Sequence, residues 1–400
     1  MYCVQSVTPD ILWLGASDRR LELFENAYPI PRGVSYNSYL VKDEKTILLD
    51  TVDHAASDRF AENLVFALAG RDLDYVVVNH MEPDHCATLI ETLTRYPNAV
   101  VVGNAKTMTM IGQFFDYDIS QRSLVVKEGD TLTTGKHTFS FVMAPMVHWP
   151  ETMCTYDTTE KVLFTADAFG TFGALNGNIF ADEVDFEHEW LPDARRYYAN
   201  IVGKYGPQVQ ALLKKAAGLE IEYLCPLHGP IWRENIGWFI DKYQHWSTYT
   251  PEDKAVMIAV GSIYGHTENA AEIVANRLAE KGVKNIALYD VSRTDVSEIV
   301  SEAFRCSHLV FASSTYNNAI FTPMENALND LKLHNMQNRK VALIENGTWA
   351  PTSGKHMTAV ISEMKNMLIM ENMVSMKSSV KEAQRRALID LADQIAAELV

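Results

Sequence analysis

The sequence predicts an α/β protein of two domains, with a mixed α/β domain at residues 1–250 and a doubly wound parallel sheet at residues 254–400. The first reason is length, because 400 residues exceed one ordinary hydrophobic core. The second is a change of pattern, since strands and helices are mixed irregularly before residue 250 and alternate regularly after 254. Residues 248–254 are polar and contain a proline, which is typical of a domain boundary.

The composition excludes several classes of protein. Hydrophobic residues make up 47% of the chain and charged residues 22%, which is typical of a globular protein. The net charge of −16 argues against a nucleic-acid-binding surface. No apolar run reaches the roughly 18 residues of a membrane span, and the N-terminus lacks the pattern of a secretory signal. The five cysteines include no CxxC pair, so we expect neither disulfides nor a thiolate metal site, and a reduced, cytoplasmic location.

Short strands with interspersed helices are predicted for the first domain, in which no internal repeat is visible. Apolar or alternating runs predict strands at 11–14, 34–41, 46–50, 75–79, 99–102, 130–132 and 137–143. A helix is predicted for 58–69, where Phe60, Leu64 and Leu68 recur every four residues, and another for 86–96. Helices within 178–215 are expected to cover this domain.

The segment that follows the apolar run 75–78 carries four metal-capable side chains in six positions, His80, Glu82, Asp84 and His85. Pro83 disfavours helix at Glu82, and in an extended backbone residues 80, 82 and 84 would project to the same side. This pattern favours a metal site over its alternative, a polar loop that happens to be rich in acids and histidine.

Three later apolar runs each end in a further candidate ligand, namely His148, Asp167 and His228. A lone histidine is seldom a metal ligand. Here, however, candidate ligands recur at the ends of three predicted strands, and this recurrence favours a metal site. The full set has four imidazoles and three carboxylates, which suits two ions roughly 3.5–4 Å apart that share a bridging carboxylate. Such a donor set favours a metal that reaches a trivalent state, and iron fits best.

The second domain starts with a buried strand at 255–260, a loop at 261–267 and a helix from about 268 to 281 that Gly282 ends. Further strands are predicted at 286–289, 308–312 and 340–345, alternating with helices. The loop lies at a helix N-terminus, where backbone N–H groups and the hydroxyls of Ser262 and Thr267 suit a phosphate. It is neither a Walker motif nor GxGxxG, and an ordinary strand-to-helix turn is the alternative.

Candidate cofactor-binding residues therefore lie in three loops at carboxyl ends of strands, where open α/β sheets bind ligands. Tyr316 and Trp349 are placed to flank a flat ring system. Five methionines spaced by three between 364 and 376 are assigned no function, because a core helix followed by a strand explains them. The candidates are Ser262, Tyr264, Gly265, His266, Thr267, Ser314, Thr315, Tyr316, Asn317, Asn318, Asn346, Gly347, Thr348 and Trp349.

Two motifs carry a resemblance to known families. HxExDH with its later His, Asp and His resembles the metallo-β-lactamase-like αββα sandwich, whose members carry HxHxDH, and here Glu82 replaces the middle histidine. The S-x-Y-G-x-T-E loop at 262–268 resembles the FMN loop of flavodoxins. A metallo-β-lactamase-like diiron domain followed by a flavodoxin-like FMN domain is the arrangement of the flavodiiron proteins, or A-type flavoproteins, and the resemblance covers essentially all 400 residues.

The resemblance implies a role for each candidate ligand. His80, Glu82 and His148 would hold the iron nearer the flavin, Asp84, His85 and His228 would hold the second iron, and Asp167 would bridge both. In some members the residue that matches His85 is not a ligand. Many members carry His-Gly after a phenylalanine near this pocket, whereas here Phe24 is followed by Glu25 and Asn26.

The resemblance also implies a function, the reduction of dioxygen to water, of nitric oxide to nitrous oxide, or both, with electrons passed from FMN to two iron ions. It implies a head-to-tail homodimer or dimer of dimers. A separate electron donor is expected, either a rubredoxin or a deazaflavin, because no CxxC pair is present. Two alternatives are a binuclear zinc hydrolase with a fused flavin domain and a non-enzymatic electron carrier.

Overall fold

The computed structural model describes residues 2–400 and divides into two compact units. The first comprises the described residues up to Tyr198 together with Tyr205–Gln244. The second comprises Ala199–Lys204 together with His245–Val400. The sequence-based domain bounds, 1–250 and 254–400, stay a prediction.

Two sheets form the first unit. In the seven-stranded sheet, spatial order follows chain order, with antiparallel pairing in its first part and parallel pairing from the fourth strand onward: Gln5–Ser6, Ile11–Trp13, Tyr39–Lys42, Thr46–Leu49, Tyr75–Val77, Val100–Gly103 and Ser123–Val125. The five-stranded sheet is antiparallel except for its last pair: Thr131–Thr133, Thr138–Met143, Met153–Asp157, Val162–Phe164 and Tyr223–Cys225. Two small ribbons pair Ala16–Asp18 with Val34–Tyr36 and Leu23–Phe24 with Tyr28–Pro29.

The helices of the first unit connect and cover these strands. Ser57–Leu68 packs on Tyr39–Lys42, and Phe60, Leu64 and Leu68 are among its buried residues, as their spacing predicts. The region predicted as one helix at 86–96 forms two shorter helices, because the chain turns at residues 87–88. The remaining α-helices are Pro83–Cys86, Leu89–Arg95, Ala105–Phe114, Leu191–Tyr197, Gly206–Ala216 and Ile236–Ser247, the last running across the bounds of the two units.

A parallel sheet forms the centre of the second unit. Its spatial order is Ile286–Asp290, Asp253–Gly261, Cys306–Tyr316, Lys340–Asn346, and then Leu368–Ile369 and Val374–Met376 side by side on the last strand. In chain order this is 2-1-3-4-5, one of the two common doubly wound orders. The short strand Ala319–Ile320 pairs antiparallel with Cys306–Tyr316. The helices are His266–Glu280, Val296–Arg305, Thr322–Leu333, Ser353–Ser362 and Glu382–Leu399.

Four further features bear on the sequence analysis. Gly282 has a φ of +90° just after the first of these helices, which confirms the predicted stop. The helix Ser353–Ser362 ends before the first of the five methionines, so that run lies in loops and short strands and not in a helix. Within residues 2–400, no helix is long and apolar enough to cross a membrane. All five cysteines are free, and all except Cys3 are buried.

Candidate functional site

Asp50 shapes the segment that follows the strand Tyr75–Val77. Its carboxylate accepts hydrogen bonds from the backbone N–H of Asn79 at 2.7 Å, from the Asn79 side chain at 2.8 Å and from the backbone N–H of His80 at 3.2 Å. Glu82 keeps an extended backbone, with φ −62° and ψ 139°, and Pro83 begins a helix. Asp84 and His85 therefore lie in a helical turn, so the expected extended alternation of residues 80, 82 and 84 stops at Glu82 and is wrong for Asp84.

The structure brings all seven sequence-predicted metal ligands together in two groups, each buried. The first group is His80, Glu82 and His148. The Nε2 atom of His148 lies 3.0 Å from Glu82 Oε2, and that of His80 lies 3.2 Å from the same oxygen. Asp167 joins this group through Oδ2, which is 3.2 Å from His148 Nε2 and 3.4 Å from His80 Nε2.

The second group is Asp84, His85 and His228. The Nε2 atoms of the two histidines face each other at 3.0 Å, and Asp84 Oδ2 lies 3.4 Å and 3.3 Å from them. Asp167 presents its other oxygen here, with Oδ1 3.1 Å from His85 Nε2 and 3.7 Å from His228 Nε2. One carboxylate thus faces both groups, one oxygen to each, as a bridging ligand would.

Two backbone features place the last ligands. Ala166 has a φ of +51°, a conformation that L residues seldom adopt, and it sets the direction of Asp167. Gly229 follows His228 with a φ of +77°, and a Cβ atom there would lie 2.1 Å from Thr171 Cγ2. The turn after His228 therefore requires glycine.

The chemistry of the donors fits metal cations. Both carboxylate oxygens of Asp84, Oδ1 of Asp167 and Nδ1 of His85 are buried and have no hydrogen-bond partner within residues 2–400. Burial opposes a charged His148, but the carboxylates of Asp167 and Glu82 outweigh it and raise the pKa of His148 to about 9. Burial likewise opposes an ionised Asp167, but the imidazoles of His85 and His80 hold the pKa of Asp167 well below its usual range. The cluster needs positive charge at its centre, which two metal cations would supply.

The remaining ring nitrogens of two ligands are anchored. His80 Nδ1 lies 2.9 Å from Glu151 Oε1, and His228 Nδ1 donates to the carbonyl oxygen of Ser35 at 2.7 Å. These bonds place the proton on Nδ1 and leave Nε2 free to ligate. Sequence reasoning missed Glu151, because nothing in its spacing from His148 marks it as a partner of His80.

Aromatic rings and one further acid surround the cluster. The buried Tyr197 ring contacts His228 and Phe24, with centroids 5.5 Å and 6.3 Å away, and its hydroxyl has no hydrogen-bond partner among the described residues. Burial, reinforced by the cluster carboxylates, raises the pKa of Tyr197 well above its usual value, so it remains an O–H donor. Desolvation and the nearby charge of Glu82 raise the pKa of Glu25 to about 8. Glu25 therefore lies close to the ligand Glu82 and occupies the position directly after Phe24, where no histidine is present.

A cavity of about 490 Å³ opens at the carboxyl ends of the strands in the second unit, a volume typical of small-ligand sites. Tyr264 and Trp349 lie on its lining and are 89% and 84% exposed, so their ring faces are accessible to a flat ligand. Of the sequence-predicted residues, all but Gly265 line the cavity: Ser262, Tyr264, His266, Thr267, Ser314, Thr315, Tyr316, Asn317, Asn318, Asn346, Gly347, Thr348 and Trp349.

Hydrogen bonds between the three loops fix the floor of this cavity. Thr267 Oγ1 lies 2.8 Å from Ser314 Oγ and accepts from Asn346 Nδ2 at 3.3 Å. Gly265 adopts a φ of +86° at the N-terminus of the helix His266–Glu280, and its N–H donates to Ser262 Oγ at 3.0 Å. Hydroxyls and free helical N–H groups thus converge as a phosphate requires.

Known proteins resemble this chain in sequence and in structure. The model of the ODP family beta lactamases matches residues 34–229. The chain is 32% identical over 349 residues to the anaerobic nitric oxide reductase flavorubredoxin of Klebsiella pneumoniae, covering 86% of this chain and 72% of that protein. The rubredoxin oxygen:oxidoreductase of Desulfovibrio gigas superposes with a TM-score of 0.92 at 28% identity, covering 99% of this chain and 98% of that one. The flavodiiron protein of Giardia intestinalis gives 0.92 at 26% identity, covering 100% and 98%.

The chain belongs to the flavodiiron protein family.

Flavodiiron proteins carry FMN and a non-haem diiron centre, and both sites described above fit those groups. The predicted fold class is confirmed, with a metallo-β-lactamase-like first domain and a flavodoxin-like parallel sheet after it. The binding role of each named residue stays a prediction, although its position is consistent with that role.

Sequence reasoning also missed three lining residues of the cavity in the second unit, Ile263, Ala350 and Ser378. Ser378 is the informative one, because its N–H donates to Asn346 Oδ1 at 3.0 Å and its hydroxyl donates to Thr348 Oγ1 at 3.1 Å. It follows the strand Val374–Met376, so the rule that identified the other three loops would have found it had this strand been recognised.

Proposed function

We propose that this chain is a flavodiiron oxidoreductase that reduces dioxygen to water, nitric oxide to nitrous oxide, or both, and so removes these gases. The observation that carries the proposal is the placement of Asp167, whose two oxygens face two separate groups of ligands. Three carboxylates among seven ligands suit ions that change oxidation state, whereas the histidine-richer set of the hydrolases suits zinc. This favours gas reduction over hydrolysis.

The functional residues belong to two sites, one for iron and one for FMN. We assign His80, Glu82 and His148 to one iron, Asp84, His85 and His228 to the other, and Asp167 to both. When bound, FMN supplies electrons one or two at a time to a metal pair that can take them up. The hydroxyls of Ser262 and Thr267 would hold the phosphate of a bound flavin, and Tyr316 and Trp349, on the lining of the same cavity, would flank its ring system. Tyr197 keeps its proton beside the ligands and is available to donate a hydrogen bond there.

The names of the relatives support both gases. The Klebsiella protein is named for nitric oxide and the Desulfovibrio protein for oxygen, and both names include rubredoxin. We therefore propose an external rubredoxin as electron donor for this chain. We also propose a cytoplasmic location, a head-to-tail homodimer or a dimer of dimers, and folding domains at 1–250 and 254–400.

Replacing Asp167 by Asn tests the assignment of the bridge. The amide cannot supply a negative oxygen to each ion, so iron content is expected to fall severalfold and gas reduction to disappear, while bound FMN stays at the wild-type level. Iron is measured by mass spectrometry, FMN by absorbance, and gas consumption with the reduced, full-length protein. The control is Asp118→Asn, at an exposed carboxylate, which should change none of the three readouts.

Two results would contradict the proposal. Loss of FMN with normal iron in Asp167→Asn would show that the bridge is misassigned. A wild-type protein that holds two zinc ions, contains no iron and hydrolyses a thioester would replace gas reduction by hydrolysis. Turnover of the reduced protein with each gas separately, compared as kcat/KM, then identifies the preferred substrate.

A further inference from the structure

We propose that Asp10, His137 and Glu160 form a third metal site, which binds a divalent transition-metal ion of the zinc class with water completing its coordination. Donor atoms of these three residues lie within 4.8 Å of one another in the first unit. Asp10 precedes Ile11–Trp13 of the seven-stranded sheet. His137 and Glu160 precede Thr138–Met143 and Val162–Phe164 of the five-stranded sheet. A bound ion would therefore tie the two sheets together.

This site is separate from the diiron ligands. His137 lies at the start of the strand Thr138–Met143, and His148 follows the end of that strand. Six residues of strand span about 20 Å. Glu160 and Asp167 lie likewise before and after Val162–Phe164. The third site therefore occupies the opposite ends of the strands that lead to the diiron ligands.

His137 is oriented as a metal ligand. Its fully buried ring places Nδ1 2.7 Å from Asp157 Oδ2, the same carboxylate–imidazole arrangement that Glu151 makes with His80. Nε2 of the same ring lies 3.4 Å from Asp10 Oδ2, and in the neutral form, with the proton on Nδ1 towards Asp157, this nitrogen would present a lone pair to that carboxylate. A lone pair that faces a carboxylate at this distance is favourable only if a cation or a second proton lies between them.

The local charge leaves room for a divalent cation. The three carboxylates of Asp10, Glu160 and Asp157 face one ammonium group and the His137 ring, which can also take up a proton. Lys136 Nζ lies 2.5 Å from Asp10 Oδ2 and 3.0 Å from Glu160 Oε1. The Lys136 side chain is 54% exposed and can move into solvent. Its backbone is fixed independently, because Asp43 accepts hydrogen bonds from the N–H groups of Lys136 and His137. The ammonium thus marks a position that favours positive charge, and it competes with a metal ion for that position.

The donor set selects the class of metal. One imidazole with two carboxylates suits zinc and its neighbours, whereas calcium and magnesium prefer oxygen donors alone. Bonds of about 2.1 Å would bring the donor atoms to about 3–4 Å from one another. The side chains of Asp10 and Glu160 are 31% and 17% exposed, so they have the freedom to close by this small amount.

Zinc binding to the complete protein tests the proposal. The FMN- and iron-loaded full-length chain is dialysed to equilibrium against zinc, and zinc and iron are measured in the same sample by mass spectrometry. We expect one zinc per chain with no loss of iron. The X-ray absorption spectrum of the bound zinc should show one imidazole among oxygen donors.

Variants of the partly exposed ligands Asp10 and Glu160, and of the competing Lys136, make the test specific. Asp10→Asn combined with Glu160→Gln should weaken zinc binding at least about tenfold without altering gas reduction. Lys136→Met should strengthen it, because the competing ammonium is gone. The buried His137 is left in place so that folding is preserved. The control is Asp185→Asn, which removes the carboxylate of an exposed pair that His188 Nδ1 forms at 2.9 Å, and zinc binding should not change.

Four outcomes would overturn the third site. They are an absence of zinc binding, zinc uptake matched by an equal loss of iron, equal zinc affinity in the double variant and the wild type, and weaker binding in Lys136→Met. Under any of these outcomes, Asp10, His137 and Glu160 form only a network of ion pairs with Lys136 and bind no metal.

Discussion

Glu151 controls the orientation of His80 from outside the ligand set. Its Oε1 atom accepts from the backbone N–H of Met81 at 2.8 Å and lies 2.9 Å from His80 Nδ1. Both side chains are fully buried, so water cannot substitute for this partner. Buried carboxylates in this position fix the tautomer of a ligating histidine and increase its basicity.

Replacing Glu151 by Gln should therefore weaken metal binding about 10- to 100-fold without removing a ligand. The neutral amide accepts the His80 N–H less strongly and no longer favours positive charge on the ring. Iron retention during dialysis against a chelator measures the change, and FMN content should not alter.

Glu151→Asp keeps the charge with a shorter side chain, and we expect it to retain more iron than Glu151→Gln. Equal loss in both variants would indicate that packing, and not charge, is what His80 requires. Wild-type affinity in Glu151→Gln would remove the positioning role altogether.

Arg339 joins several elements of the second unit through one buried side chain. Its guanidinium donates to the carbonyl oxygens of Ala303 at 2.9 Å and Phe304 at 2.7 Å, near the end of the helix Val296–Arg305. It also donates to the carbonyl oxygens of Tyr249 at 2.6 Å and Gln337 at 3.0 Å. Only 1% of the residue is exposed, so these carbonyls have no water to replace it.

Replacing Arg339 by Met should lower the free energy of unfolding of the second unit by about 3–5 kcal/mol, because several buried acceptors lose their donor. Urea unfolding followed by flavin fluorescence measures this change. Arg293→Met, at an arginine whose side chain is 87% exposed, is the control and should stay within about 0.5 kcal/mol of wild type. Equal effects of the two substitutions would contradict the structural role of Arg339.

At the level of elements, the sequence located the sites because most of their residues follow buried strands. His80, His148, Asp167 and His228 are each delivered by an apolar run, and the structure brings them together. The sequence does not predict the helical turn at Asp84. Pro83 indicates that helix is disfavoured at the preceding residue, Glu82, but it does not indicate that a helix begins at Pro83 itself. Glu151 could not be predicted, since its importance depends on a tertiary contact 71 residues away in the chain.

Both units of the whole molecule follow one plan, in which polar loops at the carboxyl ends of strands carry the chemistry and apolar strands carry the core. Chain length, together with the change from an irregular to a regular alternation of strand and helix, predicts two domains, and the structure divides into two compact units. The bounds between them are harder to predict, because the contacts that assign residues 199–204 and 245–252 to the second unit are remote in sequence.

A comparison of two fragments tests where the second domain begins. Fragment 245–400 retains the carbonyl of Tyr249 for Arg339 and the Tyr249 hydroxyl, to which Asn335 Nδ2 donates at 2.9 Å. Fragment 254–400 lacks these bonds and the buried Tyr249 ring, so it should be less stable by about 3 kcal/mol. Urea midpoints from circular dichroism measure the difference, and equal midpoints would place the start of the domain at 254.

The burial of four cysteines has a practical consequence for physical studies of the protein. Burial raises the pKa of Cys86 and of Cys154 to about 12, and it raises the pKa of Cys225 well above its usual value. Such thiols do not form the nucleophilic thiolate at neutral pH, so maleimides and iodoacetamides react with them slowly. Cys3 is the exposed thiol of the five. A fluorophore or spin label can therefore be attached to the unaltered chain at one defined position near its N-terminus.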